Sequence, residues 1–308
     1  MAPKKNSRAT IPGALKKAAH PKHLWKAIQL QRTKGSHARA YNDPQLKLIA
    51  QICPGDFLNY GHFENTELQA RDITVNDILR AQTRNAELTV DLVVDRGSPV
   101  LDAGCGMGGI TRLLLERGMN PVALSPDKYQ ILNLKSKYPQ VPYFEAKFED
   151  IPLEGNAHRF GTVITSESLQ YLKLDRALPR LEQVLKPGGR WIAVDYFRVG
   201  EARDKSGHIW SEFQQHLTRA GWKIVYQQDH TRNVLPLLRY IHMLGNDVLR
   251  PLAEFVFAKL QQKQPGVHYL LEEVVEDLRA KIDKNLDQIN PESFLAFKKY
   301  YLLAIEKA

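Results

Sequence analysis

The residues best placed to do chemistry lie in one short run, Val100-Leu101-Asp102-Ala103-Gly104-Cys105-Gly106-Met107-Gly108-Gly109. An apolar stretch ends in a carboxylate, four glycines follow within six positions, and Ile110 to Arg117 then carries a helical pattern. A strand feeding a glycine turn and a helix sets bare backbone and a helix N-terminus against a ligand. Asp102, two residues before Gly104, can fix the turn's amides or meet an amino group of that ligand. A turn that merely joins strand to helix is the plain structural alternative.

Gly104, Gly106 and Gly109 satisfy GxGxxG, the pattern of a dinucleotide site. Such a site wants an acidic residue at the end of the second strand to hold a ribose. Here that strand, Pro121-Val122-Ala123-Leu124, runs into Ser125-Pro126, and the first acid is Asp127. Downstream, Leu185-Lys186-Pro187-Gly188-Gly189-Arg190 leads into another apolar strand. The Asp-x-Gly-x-Gly-x-Gly run and this LKPGG turn together resemble the class I S-adenosylmethionine (SAM) methyltransferases. The resemblance implies a Rossmann-like α/β fold, SAM as the cofactor, and Asp102, Gly104, Gly106 and Gly108 as contacts on its methionine side.

Three further segments narrow the resemblance. Leu124-Ser125-Pro126-Asp127-Lys128-Tyr129-Gln130 is similar to the TLSxxQ segment of the cyclopropane synthase and prenyl or sterol C-methyltransferase branch. There a hydroxyl and a glutamine bind the ribose, and Ser125 and Gln130 match them with two extra residues between. Ser125 also suits a helix N-cap ahead of Pro126. The adenine is expected at Ala146 to Pro152, where Lys147 stands in place of the Asp of many relatives and leaves Phe148 and Glu149 as contacts.

On the acceptor side, Thr165-Ser166-Glu167-Ser168-Leu169-Gln170-Tyr171-Leu172 resembles the NESxxYxxL segment of geranyl diphosphate C-methyltransferases, with Ser166 replacing Asn. In that branch methyl adds to an alkene carbon and a buried glutamate, matched by Glu167, removes a proton from the resulting cation. A carboxylate in a dry aromatic pocket both stabilises positive charge and acts as a base. Capping the next helix or pairing with a basic neighbour are the simpler roles for it. Tyr60-Gly61-His62-Phe63 resembles the aromatic segment that precedes the core in the same branch. Its Tyr60 would face the sulfonium or a developing cation, or simply pack under a loop. His62, His208 and His230 show no metal-ligand spacing, so no metal is expected. The implied activity is methyl transfer to a small or lipid-like acceptor, with C-methylation of an isoprenoid-type alkene foremost. O- or N-methylation of a secondary metabolite, and a SAM-binding scaffold without turnover, are the alternatives.

The elements that must position these residues alternate. Strands are expected at 98–103, 121–125, 142–145, 160–165, 190–196 and 222–228, and helices at 109–118, 127–137, 174–185 and 207–220. Such alternation implies a mostly parallel sheet with helices on both faces, and the resemblance makes it seven-stranded with an antiparallel last strand at Tyr300 to Ile305. Val75 to Val94 has helical periodicity, with Thr74 as N-cap and Asp77 three residues on. Residues 233–289 break the alternation as a helical insert, with Pro236 and Pro251 suited to helix starts. The insert reads as a substrate lid, extra core or a dimer face.

Charge is uneven along the chain. The 308 residues carry a net charge of +9, yet residues 1–42 hold ten Lys or Arg and no acid, so the remainder is close to neutral. This gives a basic arm at 1–42 and a catalytic domain at 43–308, with a helix expected over Leu15 to Leu30. The arm reads as a solvated tail, a contact with anionic lipid or substrate, or a targeting segment. No nucleic-acid module accompanies the charge, so nucleic acid is not an expected partner. No apolar run reaches membrane-spanning length. Two distant cysteines, Cys53 and Cys105, fit a reducing, cytoplasmic setting with peripheral membrane contact at most.

Overall fold

The computed structural model describes residues 55–200 and 205–308, together with 20–23, 25–26 and 28–29. The described residues between 21 and 29 are helical and exposed. The rest of the expected 15–30 helix, Cys53 and the lead-in before residue 55 lie outside the described residues. The chain forms two compact units, Asn42–Leu252 with Ala280–Ala308, and Met1–Tyr41 with Ala253–Arg279.

Eight strands run in chain order as β1 (Val100–Ala103), β2 (Pro121–Leu124), β3 (Tyr143–Phe144), β4 (Phe160–Ser166), β5 (Leu185–Arg198), β6 (His208–Ile209), β7 (Trp222–Asp229) and β8 (Lys298–Lys307). They form one sheet in the order β3-β2-β1-β4-β5-β8-β7, with the two-residue β6 added beside β5. The β1–β5 pairings are parallel, and β8 enters antiparallel between β5 and β7. The expected seven-stranded Rossmann-like sheet is therefore present, and β6 is the addition. It takes the start of the helix expected at 207–220.

Around the sheet lie α1 (Val75–Asp91), α2 (Gly109–Glu116), α3 (Lys128–Lys137), α4 (Leu174–Val184) and α5 (Trp210–Arg219). The segment before β8 is helical as expected, as α6 (Leu235–Leu244), a π-helical turn (Gly245–Leu249), α7 (Arg250–Lys263), α8 (Pro265–Leu270) and α9 (Glu272–Gln288). A further helix, α10 (Pro291–Phe297), had no counterpart in the periodicity; Asn290 caps it by accepting from the amides of Glu292 and Ser293. Asn followed by Pro at the first helical position is the local signal for that start.

Alternation along the strands splits the core into two faces. Leu101, Val163, Trp191 and Ala193 pack with Ala177, Leu178 and Leu181 of α4 and Phe213 and Leu217 of α5. Val100, Ile164, Ile192 and Val194 face the other way, onto Ala86 and Val90 of α1 and Ile110, Leu113 and Leu114 of α2. The helices are stopped and started by their own caps. Thr74 and Asp77 form the expected reciprocal capping box at α1. At α3 the cap is Asp127, whose carboxylate accepts from the Gln130 amide, and not Ser125.

Candidate active site

The parallel register brings the ends of β1, β2 and β4 side by side, so the residues that follow them share one edge of the sheet. Ala103 pairs with Leu124, and Asp102 with Ile164. Gly104, Gly106 and Gly108 have φ of 95°, 54° and 95°, a left-handed turn that side chains resist. The amides of Gly104 and Cys105 both donate to the Leu124 carbonyl, at 2.8 and 3.1 Å. A Cβ on Gly104 would sit 2.4 Å from the Ser168 Cβ, so only glycine admits the loop after β4 this close. Ser168 uses that proximity to donate to the Ala103 carbonyl at 2.6 Å. Asp102 is buried and accepts from the Thr111 hydroxyl at 2.6 Å. That bond fixes the glycine turn from its helical end. Burial pushes the Asp102 carboxyl up to about 6, with Thr111 opposing the rise.

Ser125 and Gln130 meet despite the two extra residues between them. The Ser125 hydroxyl donates to Gln130 Oε1 at 2.6 Å and accepts from the Asp127 amide at 3.0 Å. The first turn of α3 absorbs the extra length. Phe148 and Glu149 lie in a 3₁₀ turn after β3. The Phe148 ring belongs to the core, and Glu149 is buried with Oε1 accepting from the Lys173 amide at 2.9 Å. Glu149 thereby holds the chain entering α4.

Glu167 follows β4 with φ of 50°, a left-handed conformation rare for a residue with a side chain. Its amide donates to the Val194 carbonyl at 2.8 Å. Its Oε1 accepts from the Tyr60 amide and from the Tyr300 hydroxyl, both at 2.7 Å. Its Oε2 has no hydrogen-bond partner among the described residues. Enclosure of the carboxyl pushes its pKa up to about 8; the two donors oppose that rise and nearby Asp195 adds to it. Strain at one residue, held by contacts from three other segments, is the usual mark of a functional position.

The two tyrosines that donate to this carboxyl belong to an aromatic cluster. The Tyr60 ring lies edge-on to Tyr196, Phe294 and Tyr300, with centroids 6.4, 6.2 and 6.1 Å away. The segment carrying Tyr60 crosses the glycine turn first. Asp56 accepts from the Gly109 amide at 3.1 Å, and a Cβ on Gly109 would lie 2.2 Å from the Phe57 ring. One strap thus spans both halves of the site.

Several site residues escaped the sequence reading. Tyr300, fully buried, also accepts from Asn85 Nδ2 at 3.2 Å. Asp195 is buried at the end of β5 and accepts from the amides of Gln170 and Tyr196 at 3.0 and 2.8 Å. Burial pushes its carboxyl up to about 7, against those donors and Lys298. A carboxylate inside the apolar run of β5 was the available signal. His62 and His230, remote in sequence, bring their rings to 4.4 Å. Burial lowers both, His230 to about 4. No group of three or more His, Cys, Asp or Glu among the described residues could hold a metal ion.

Parts of this chain are similar to known proteins. Residues 101–193 match the family described as a methyltransferase domain. An uncharacterized methyltransferase of Mycobacterium bovis is 35% identical over 109 residues, 34% of this chain and 44% of that protein. The sterol 24-C-methyltransferase of Saccharomyces cerevisiae is 32% identical over 167 residues, 46% of this chain and 43% of that one. The chain thus spans less than half the length of either relative. In structure it resembles the geranyl diphosphate C-methyltransferase of Streptomyces coelicolor, solved with geranyl diphosphate and S-adenosyl-L-homocysteine. The TM-score is 0.59 at 16% identity, covering 87% of this chain and 100% of the other. Residues 101–193 thus match a methyltransferase-domain family, and the sheet built around them has the class I methyltransferase fold.

Proposed function

We propose that this protein is a SAM-dependent methyltransferase whose acceptor is a small, isoprenoid-like alkene methylated at carbon. The observation that carries the reading is Glu167, strained in its backbone, bonded to two tyrosines of an aromatic cluster, and left with one oxygen unpartnered. The cofactor suits the edge next to it. The left-handed turn at Gly104, Gly106 and Gly108 would take the methionine end, and the joined Ser125 and Gln130 would take the ribose. Phe148 and Glu149 mark the adenine side. Bound SAM supplies an electrophilic methyl on a sulfonium.

The chain's own residues do the rest. The strap over the turn excludes water from the methyl's path, and much of the rate comes from placing the acceptor in line with it. As the alkene carbon takes the methyl, positive charge appears on its neighbour. The ring of Tyr60 would stabilise that charge, while the Tyr300 hydroxyl holds Glu167 in place. In its ionised form, Glu167 Oε2 then accepts the proton that leaves to restore a double bond. The same carboxyl, with its high pKa, can also take a proton from a hydroxyl or an amine, which keeps O- or N-methylation as the second reading. The basic arm would bring the protein to a lipid surface where such acceptors collect. No described helix is long and apolar enough to cross a membrane.

Transfer of labelled methyl from SAM into a cell extract, with identification of the product, tests the reading. Glu167→Gln is expected to lower that transfer about 10²–10⁴-fold while calorimetry shows unchanged affinity for SAM and S-adenosylhomocysteine. Binding of neither compound would sink the cofactor half. Undiminished transfer by the variant would remove Glu167 as the base. A product methylated on oxygen or nitrogen would select the second reading.

A further inference from the structure

In the unit formed by Met1–Tyr41 and Ala253–Arg279, large apolar side chains are on the outside. Neither α7 nor α8 buries a residue. Phe255 and Val256 on α7 are 57% and 54% exposed, and Tyr269 and Leu270 at the end of α8 are 75% and 62% exposed. Single exposed apolar residues are ordinary, but this many within one short stretch of chain mark a surface that meets something.

Charge says what that is. From Ala253 to Leu271 the chain has one carboxylate, Glu254, and Arg279 engages both its oxygens, at 2.9 and 2.7 Å. Lys259 and Lys263 lie in the same stretch, with the Lys259 ammonium 5.6 Å from the Phe255 ring centroid. The acidic run Glu272, Glu273, Glu276 and Asp277 begins only beyond Leu271 and bounds the surface. The unit as a whole has thirteen Lys and Arg against five Asp and Glu, nearly all of the chain's net charge of +9. Trp25 and Ile28 of the arm are exposed beside Lys22 and Lys26 in sequence.

We infer that residues 253–271 are a docking face for an anionic lipid bilayer. An apolar, acid-poor surface flanked by lysines has the composition of an interfacial segment: rings and aliphatic side chains enter the headgroup boundary while the lysines reach back to phosphate. Tyr269 carries both an apolar ring and a polar tip, the side chain favoured at that depth. The cationic arm of the same unit adds long-range attraction to anionic headgroups. That charge also opposes a second copy of the unit, since two such faces would bring like charges together. This inference is independent of the chemistry assigned to Glu167.

Sedimentation of the full-length protein with vesicles tests it. Phosphatidylcholine vesicles containing phosphatidylglycerol are expected to carry the protein into the pellet, less so as salt rises, and pure phosphatidylcholine vesicles to carry little. The double variant Tyr269→Ser, Leu270→Ser alters only exposed positions. It should weaken binding to anionic vesicles at least about tenfold with the same melting temperature. Lys259→Gln with Lys263→Gln should weaken it less. Failure of the wild type to pellet with anionic vesicles, or equal binding by the double variant, would overturn the inference. A wild-type dimer on gel filtration that the double variant dissolves, with no vesicle binding, would overturn it in favour of self-association.

Discussion

The glycine turn takes nearly all its parts from residues 102–111, whereas the cluster around Glu167 is assembled from five separated segments. In the first, Asp102, the glycines and Thr111 are neighbours in sequence, and local backbone geometry does most of the positioning. In the second, Tyr60 comes from the strap, Asn85 from α1, Glu167 from the end of β4, Asp195 and Tyr196 from β5, and Tyr300 from β8. The two meet at Gly104 and Ser168, where they share a contact too tight for any side chain but hydrogen.

That contact gives the largest expected effect. Gly104→Ala adds a Cβ against Ser168 in a left-handed conformation and should cost about 2–4 kcal/mol of stability, with cofactor affinity lost in calorimetry. Gly118→Ala is the control, because Gly118 has φ of 70° with nothing within 4 Å. It should show the conformational penalty alone, about 1 kcal/mol. Equal losses in denaturant unfolding would mean that the two halves do not press on each other.

The next effect separates the halves by pH. Glu167 titrates near 4.5 unfolded but at about 8 in the fold, so between those values the folded state holds a proton that the unfolded state has released. The contribution of Glu167 to stability must therefore fall as pH rises from about 4.5 to 8 and level beyond it. Buried His230, lowered to about 4, contributes a rise in the lower part of that window. Glu167→Gln cannot ionise and escapes this fall, so it should gain on the wild type across that window by an amount on the order of a few kcal/mol. Parallel stability curves for the two proteins would show that the carboxyl is not enclosed. Asp195, raised to about 7, contributes a fall of the same sign to both curves.

The legibility of the sequence follows the same division. β1, the glycine turn and α2 are contiguous, so pattern alone revealed them. The order of strands followed from alternation, and Thr74 with Asp77 marked α1 because a capping box is a four-residue event. Ser125 with Gln130 remained legible through a short motif, although the helix turn that joins them starts from the Asp127 cap. Tyr300 was legible only as an apolar member of a closing strand. Its hydroxyl acquires meaning from an antiparallel insertion that sets Tyr300 opposite Tyr196, 104 positions earlier. Asn85 read as one polar residue on a helix, and only folding turns it toward Tyr300. Long-range polar contacts leave no periodic trace.

Tyr300→Phe probes that long-range half with a smaller effect. The hydroxyl donates to the carboxylate form of Glu167 and holds its pKa down. Removing the donor should raise the midpoint of Glu167, followed by carboxyl NMR in protein labelled on glutamate, by an amount on the order of one unit. Glu167→Gln identifies the resonance by its absence. An unmoved midpoint would show that Tyr300 packs against the carboxyl without serving it.

The smallest effect tests whether the first turn of α1 matters to the site. Thr74 accepts from the Asp77 amide at 3.2 Å, and Asp77 answers by accepting from the Thr74 amide at 2.9 Å. Thr74→Ala removes the cap eleven residues before Asn85 and should cost about 1 kcal/mol of global stability. Fraying is confined to the first turn, while Ala81, Ala86 and Val90 keep the rest of α1 packed. The Glu167 midpoint should therefore stay where it is even as the unfolding curve moves. A shift in both would mean that the acceptor pocket feels the whole length of α1, and the contrast between a locally built turn and a pocket of independent parts would have to be redrawn.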